Sequence, residues 1–234
     1  MDGKMQTIKK AFVDTIPVMT GYIVLGIGFG IVLETKGYGV GWAFAMSFFI
    51  YAGSLQFVAI DLLTGGAGLL TTALTSMMVN ARHLFYGISM IDRYKGAGKK
   101  KPYMIFALTD ETYSLVCSDP VEEDMSGRHR YYFLVSLFDQ CYWVTGSVIG
   151  SLLGAIIPFN TEGIDFALTA LFVTVFTEQW LSTKNHGPAL VGAGASAACL
   201  LIFGAENFLI PAMVLITVLL TFMRKSAGKE AADD

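Results

Sequence analysis

Thirty consecutive residues, 62–91, carry a single formal charge: Arg82, with His83 beside it in the run Asn80-Ala81-Arg82-His83. A second polar pair, Asp110-Glu111, sits midway along residues 103–118, between Ala107-Leu108-Thr109 and Thr112-Tyr113-Ser114. A guanidinium can hold a carboxylate, and a carboxylate can hold an ammonium or a proton. An imidazole can relay a proton near neutral pH, and Asn80 offers both a donor and an acceptor. Insertion scales assign ~2.5–3.5 kcal/mol to a charged side chain at the centre of a bilayer. At least one of Asp110 and Glu111 is therefore expected to pair with Arg82. Such a pair can lock a bundle, hold a substrate, or do both, and residue type alone leaves these open. His83 fits a proton relay or an inter-helix hydrogen bond equally well.

Other polar groups interrupt apolar sequence. Gln56 and Gln179 each stand beside an aromatic residue, Phe57 and Trp180, and can hydrogen-bond a substrate or join two helices. Glu178 is a carboxylate in an apolar run and a candidate proton site. Asp14 and Asp139 fall near expected helix starts, where a carboxylate caps free N–H groups. The stretches containing Gly66 and Gly68, and Gly192 and Gly194, can expose helix N-termini to an anion or allow helices to pack closely.

The elements that must position these groups follow from composition. Only 15% of the 234 residues are charged, against about 25% in a soluble domain. Mean hydropathy is +0.57. Residues 15–33, 37–60, 140–161, 185–205 and 207–223 contain no Asp, Glu, Lys or Arg. Each run is near the ~17–25 residues that a membrane helix needs. The expected fold is an all-α integral membrane protein, a polytopic helical bundle forming one transporter domain over residues 1–234. The first apolar run has no small-residue cleavage site before Glu34-Thr35-Lys36, so an uncleaved first helix is expected. Cys117, Cys141 and Cys199 lack metal-ligand spacing and read as packing residues. There is no basic stripe for nucleic acid.

Lys and Arg concentrate at residues 4–10, 93–101 and 224–229, which the positive-inside rule places in the cytoplasm together with both termini. A single crossing by residues 62–91 would put the basic residues after it outside. Parity is restored if that segment enters from the cytoplasm and returns. Residues 188–204, rich in Gly and Ala, are expected to re-enter likewise. The result is about six full crossings, among them 42–60, 103–118 and 164–182, plus two broken or re-entrant segments. Seven or eight full crossings is the alternative. A weak repeat supports the first arrangement. Asp14-x5-Thr20-Gly21 recurs as Asp139-x5-Thr145-Gly146, Gln56 as Gln179, and Gly66-Ala67-Gly68 as Gly192-Ala193-Gly194, at offsets of 123 to 126 residues. The halves, about 9–118 and 131–225, begin on opposite sides, so the repeat is expected to be inverted. Paired Gly-interrupted segments in inverted halves point to a secondary transporter.

Four stretches resemble the AzlC family: Asp14-x2-Pro17, Ala52-Gly53-Ser54-Leu55-Gln56-Phe57, Asn80-Ala81-Arg82-His83-Leu84-x-Tyr86-Gly87 and Leu108-Thr109-Asp110-Glu111-Thr112-Tyr113. The resemblance implies the large subunit of a branched-chain amino acid exporter in a bacterial or archaeal cytoplasmic membrane. Its implied substrates are valine, leucine, isoleucine and sometimes methionine, and its implied partner is a small hydrophobic AzlD-type subunit. A channel, or an exporter of another small amphipathic metabolite, is the alternative. An enzyme is not expected: there is no His-Glu-x-x-His motif, no Walker loop and no clear nucleophile–base set. No cofactor or metal is expected.

Overall fold

The computed structural model describes residues 2–118, 125–157, 173, 176, 177, 180, 181 and 185–230, and all regular structure among them is helical. The chain divides into two compact units, residues 1–169 and 170–234.

The first unit contains α1 (Asp2–Asp14), α2 (Ile16–Thr35), α3 (Val40–Phe49), α4 (Gly53–Thr64), α5 (Leu69–Val79), α6 (Ala81–Ser89), α7 (Lys101–Phe106), α8 (Asp110–Ser118) and α9 (Met125–Ile156). At 1.5 Å per residue, the 20 residues of α2 reach about 30 Å and the 32 of α9 about 48 Å. The 10, 12 and 11 residues of α3, α4 and α5 reach only about 15–18 Å, half the thickness of a bilayer core.

Two expected crossings are therefore not continuous helices. The run 42–60 breaks at residues 50–52, where Tyr51 takes φ +45° and Ala52 is extended. A left-handed conformation is uncommon for a residue with a side chain, and it ends α3 sharply. The run 103–118 breaks at residues 107–109. There Thr109 caps α8, its Oγ1 accepting the Thr112 N–H at 3.3 Å, while Asp110 and Glu111 occupy the first turn, where the helix dipole favours anions. The run 62–91 comprises α5 and α6, joined at Asn80. Gly66, at φ +62°, makes the turn into α5, and Gly68 is the residue just before that helix.

The frame holding these short helices is the seam between α2 and α9. Gly26 and Gly30 face Ser147 and its neighbours, while Gly146 and Gly150 face Ile23 and Ile27. A Cβ on Gly146 would lie 2.7 Å from the Ile23 carbonyl oxygen, and one on Gly30 would collide with the Ser147 carbonyl. Backbones this close gain dispersion along the whole seam, the logic of small-xxx-small helix pairs. A second cluster joins α1, the 90–97 turn, α7, α8 and α9 through Ala11, Met90, Tyr94, Met104, Leu108, Val116, Tyr132 and Val135. Arg93 closes it by donating to the Val116 and Cys117 carbonyls at the end of α8, at 2.9 and 3.1 Å.

The surface is more apolar than that of a soluble domain, and several polar side chains lie within. Leu69 is 91% exposed, and Leu84, Phe49 and Ile156 are also open, whereas Asp139, Gln56, Thr112 and Ser147 are buried. Apolar side chains outside and polar ones within is the distribution that a bilayer stabilises.

In the second unit, α10 (Gly187–Asn207) and α11 (Leu209–Glu230) pack against each other. The Gly187 N–H that opens α10 is accepted by Asn185 Oδ1 at 3.0 Å. The expected helix end at Gly192 and Gly194 is corrected here: α10 runs through both, and its non-helical residue is Gly204, at φ 73° and ψ 169°. A glycine within a helix costs about 1 kcal/mol relative to alanine. Opening the backbone in apolar surroundings costs several kcal/mol for each unpaired group. Continuity therefore wins.

Candidate functional site

The breaks in two helices meet at Arg82. The guanidinium reaches from the first turn of α6 to the start of α4 and the start of α8. Its Nη1 pairs with Asp110 Oδ2 at 2.7 Å, and its Nη2 donates to Ser54 Oγ at 3.0 Å. Arg82 thus ties together the two helix N-termini that the breaks create. The free N–H groups of a first turn carry partial positive charge, which suits an anion. Asp110 and Glu111 occupy that position on α8, and α4 has no side-chain cap of its own.

The pair is only partly satisfied. Arg82 Nε and Asp110 Oδ1 are buried and unpaired, and so is His83 Nδ1 one residue along. The His83 ring lies edge-on to Tyr86 at 5.9 Å, and Tyr86 stacks on Tyr113 at 4.6 Å. Asn80 sits at the junction of α5 and α6, where its carbonyl accepts the His83 N–H at 2.9 Å and its side chain makes no capping bond. A zwitterion needs one set of donors and one set of acceptors within a few ångströms. Arg82 with Asp110 supplies both, with a free N–H and a free carboxylate oxygen left over.

Glu111 points elsewhere. It accepts from Tyr22 of α2 at 2.5 Å, and Tyr22 also reaches Thr109 Oγ1 at 2.7 Å. Thr109 contacts Thr112 at 3.2 Å, and Thr112 donates to Asp139 Oδ2 at 2.6 Å. Asp139 is fully buried at mid-length of α9, so the expectation that it caps a helix is corrected: its partner is a hydroxyl on α8. Asp14 ends α1 and accepts from Tyr131 at 2.7 Å, so it too bonds a side chain across to α9.

Gln56 is wholly buried with both ends of its amide engaged. Its Oε1 accepts from the Trp143 indole at 2.9 Å and its Nε2 donates to Ser47 at 3.1 Å. Glu178 and Gln179 lie outside the described residues. Ser54, Tyr22, Thr109, Thr112 and Asp139 were missed as site residues by reading the sequence. Thr109 and Thr112 flank Asp110-Glu111 in a pattern that marks a helix start, and Ser54 falls in the small-residue stretch Ala52-Gly53-Ser54. Tyr22 has no local signal in an apolar helix. Among the described residues no group of His, Cys, Asp and Glu is arranged to hold a metal ion.

The class defined here is an all-helical protein with an open apolar surface, whose interrupted helices hold a half-buried charge pair. Residues 17–157 match the family described as AzlC protein. Over 221 residues, 94% of this chain and 87% of the relative, it is 44% identical to the branched-chain amino acid transport protein AzlC of Bacillus subtilis strain 168. It is 41% identical to an uncharacterized membrane protein of Helicobacter pylori strain 26695, over 94% of this chain and 96% of that one. It is 26% identical to the inner membrane protein YgaZ of Escherichia coli K12, over 86% and 82%. The chain belongs to the AzlC family. No solved structure matches it.

Proposed function

We propose that the chain is the large subunit of a secondary transporter that exports branched-chain amino acids, valine, leucine, isoleucine and by extension methionine, across a bacterial or archaeal cytoplasmic membrane. The observation that carries this reading is the Arg82–Asp110 pair at the meeting of two helix breaks, with Arg82 Nε and Asp110 Oδ1 left unpaired. The substrate carboxylate takes Arg82 and the free first turn of α4, and its ammonium takes Asp110. The aliphatic side chain takes an apolar wall. Each buried CH₂ contributes about 0.8 kcal/mol, which separates valine from leucine only weakly, so substrates overlap.

The relative from Bacillus subtilis, named for branched-chain amino acid transport, supports the substrate class. The open apolar surface supports a lipid environment and a small hydrophobic AzlD-type partner subunit. In this reading the whole chain is one transporter domain with cytoplasmic termini. It crosses the membrane several times and is built as an inverted repeat, with residues 62–91 broken at Asn80 and α10 long and apolar enough to cross by itself. The packing of α2 on α9, which carry the matching Thr20/Thr145 and Gly21/Gly146 positions, supports the repeat, because symmetry-related helices meet at the axis between them. The role is transport, not catalysis.

The test is efflux from cells loaded with labelled leucine, with the chain and its partner co-expressed. R82Q is expected to abolish export while the complex still assembles. Full export by R82Q overturns the assignment, and so does flux in liposomes that never exceeds equilibrium under any imposed ion gradient.

A further inference from the structure

We infer that Glu111 and Asp139 share a single exchangeable proton through a chain of three hydroxyls, and that this proton is the ion coupled to transport; the coupling half rests on the proposed function, the shared proton does not. The chain runs Glu111–Tyr22–Thr109–Thr112–Asp139, with oxygen–oxygen separations of 2.5, 2.7, 3.2 and 2.6 Å. It links α2, the start of α8 and the middle of α9.

The argument is a count of hydrogens. Four oxygen–oxygen contacts need four hydrogens if each is a hydrogen bond. Tyr22, Thr109 and Thr112 supply one each. The backbone N–H of Thr112 also donates to Thr109, but it lies off the chain. The fourth hydrogen must therefore sit on a carboxyl. With both carboxyls ionised, one contact between buried oxygens has no hydrogen in it, which is repulsive and leaves lone pairs facing each other. With both protonated, one contact has two hydrogens. One proton per pair fits the geometry.

Two arrangements satisfy the count, and they interconvert without moving a heavy atom far. In the first, the proton is on Asp139, which donates to Thr112. Thr112 then donates to Thr109, Thr109 to Tyr22, and Tyr22 to the Glu111 carboxylate. In the second, Glu111 carries the proton and every hydroxyl points the other way. Passing from one to the other moves one proton from Asp139 to Thr112 as each hydroxyl hands its own proton on, ending at Glu111. No charge or atom is left over.

Along the hydroxyls the donor geometry runs from Tyr22 to Thr109, from Thr109 to Thr112 and from Thr112 to the Asp139 carboxylate, which is the order of the second arrangement, with the proton on Glu111 and shared across its short contact with Tyr22.

Among the described residues no cation is bonded to this pair. Arg82 is within electrostatic reach of Glu111, as are Asp110 and Tyr86, but its ion pair is with Asp110. Facing Asp139 are Thr112 from α8, Tyr51 from the break after α3, and Tyr103 from α7. The chain starts one residue from Asp110 and touches the same first turn of α8. A substrate that draws Asp110 away from Arg82 releases a guanidinium beside Glu111 and so pulls the proton toward Asp139. That gives a direct route from substrate occupancy to proton position.

The experiment is infrared spectroscopy of the full chain in lipid nanodiscs at neutral pH, without substrate, in light and heavy water. Wild type is expected to show a deuterium-sensitive carboxylic C=O band that integrates to one acid per chain. E111Q and D139N, whose amides keep the shape and the acceptor, are each expected to remove that whole band. The single proton has no reason to stay once either end is neutral. A band that integrates to two, no band in wild type, or a band that survives in either variant overturns the shared proton. Leucine uptake into proteoliposomes under an imposed pH gradient tests the coupling. Wild type is expected to accumulate leucine, and both variants are expected to lose accumulation. Accumulation that persists in the variants overturns the coupling. If wild type moves no leucine at all, the transport reading fails while the infrared result stands by itself.

Discussion

Removing either end of the Arg82–Asp110 pair should destabilise the protein unequally, and removing both should cost less than the sum. The inequality follows from what each variant leaves behind. R82Q strands Asp110, whose Oδ1 already lacks a partner and whose Oδ2 would lose its only ion pair. D110N leaves Arg82 with its bond to Ser54. Breaking a fully buried ion pair costs ~3–5 kcal/mol, and an exposed pair contributes ~0.2–1 kcal/mol. The two side chains are 35% and 27% exposed in the isolated chain, which places this pair between those limits. We expect about 2–3 kcal/mol for R82Q and about 1–2 kcal/mol for D110N. In the double variant R82Q/D110N, both introduced side chains are neutral amides and can bond each other. It should recover to within about 1 kcal/mol of wild type, a coupling of ~2–5 kcal/mol.

Thermal unfolding of the purified complex reads this out. At about 2–4 °C per kcal/mol for a chain of this size, R82Q should melt ~4–12 °C low and D110N ~2–8 °C low, with the double variant near wild type. Leucine export from loaded cells should be lost in all three, the double variant included. That dissociation matters, because a pair that only braces the bundle would regain export when it regains stability. Additive losses in the double variant would refute the coupling. A double variant that is both stable and active would refute the role in binding.

Three further outcomes are expected. G150A drives a Cβ into the Ile27 carbonyl across the α2–α9 seam and should abolish the monodisperse peak in size-exclusion chromatography, whereas G192A, with nothing within 4 Å, should be neutral or stabilising by up to about 1 kcal/mol. Q56L leaves the Trp143 indole N–H without an acceptor and should cost about 1–3 kcal/mol in thermal unfolding, with part of the loss recovered in Q56L/W143F. T109A removes the cap of α8 and should lower stability by about 1 kcal/mol, which T109S should largely restore, as checked by the same melts.

What could be read from sequence here was set by cost. A lone guanidinium in thirty apolar residues demands a counter-charge, so its pairing with one of two nearby carboxyls was legible; which one was not. The choice depends on how the first turn of α8 is rotated, and Thr109 as cap fixes that rotation. The break before α8 was readable in principle from Thr109-Asp110-Glu111-Thr112, a helix-start pattern inside an apolar run. The break at Tyr51 was not, because tyrosine is a poor left-handed residue and only tertiary packing holds it there. Asp139 was misplaced for a related reason. A carboxylate near the edge of an apolar run reads as a cap, and only the long continuation of α9 toward Met125 puts it mid-helix.

Satisfaction of polar groups separates brace from machinery in this protein better than residue type does. Gln56 is as conspicuous in the sequence as Arg82, yet Trp143 and Ser47 engage both ends of its amide and leave it nothing to offer a ligand. Ser147 and Ser136 likewise return their hydroxyls to carbonyls of their own helix. Most of the unpaired atoms among the described residues gather instead around the two helix breaks: Tyr51 Oη, Arg82 Nε, His83 Nδ1, Asp110 Oδ1 and Asp139 Oδ1. A buried polar atom without a partner costs ~1–3 kcal/mol, so each of these positions is one that a polar ligand would stabilise. A zwitterionic substrate and one proton would satisfy most of them. Substrate binding should therefore stabilise this unit by more than its contacts with the aliphatic side chain supply, and glycine should still raise the melting temperature, by less than leucine at equal concentration because it lacks ~3 kcal/mol of side-chain burial. A melting shift that scales only with side-chain size, and vanishes for glycine, would place the binding energy in the apolar wall and remove the head-group role from Arg82.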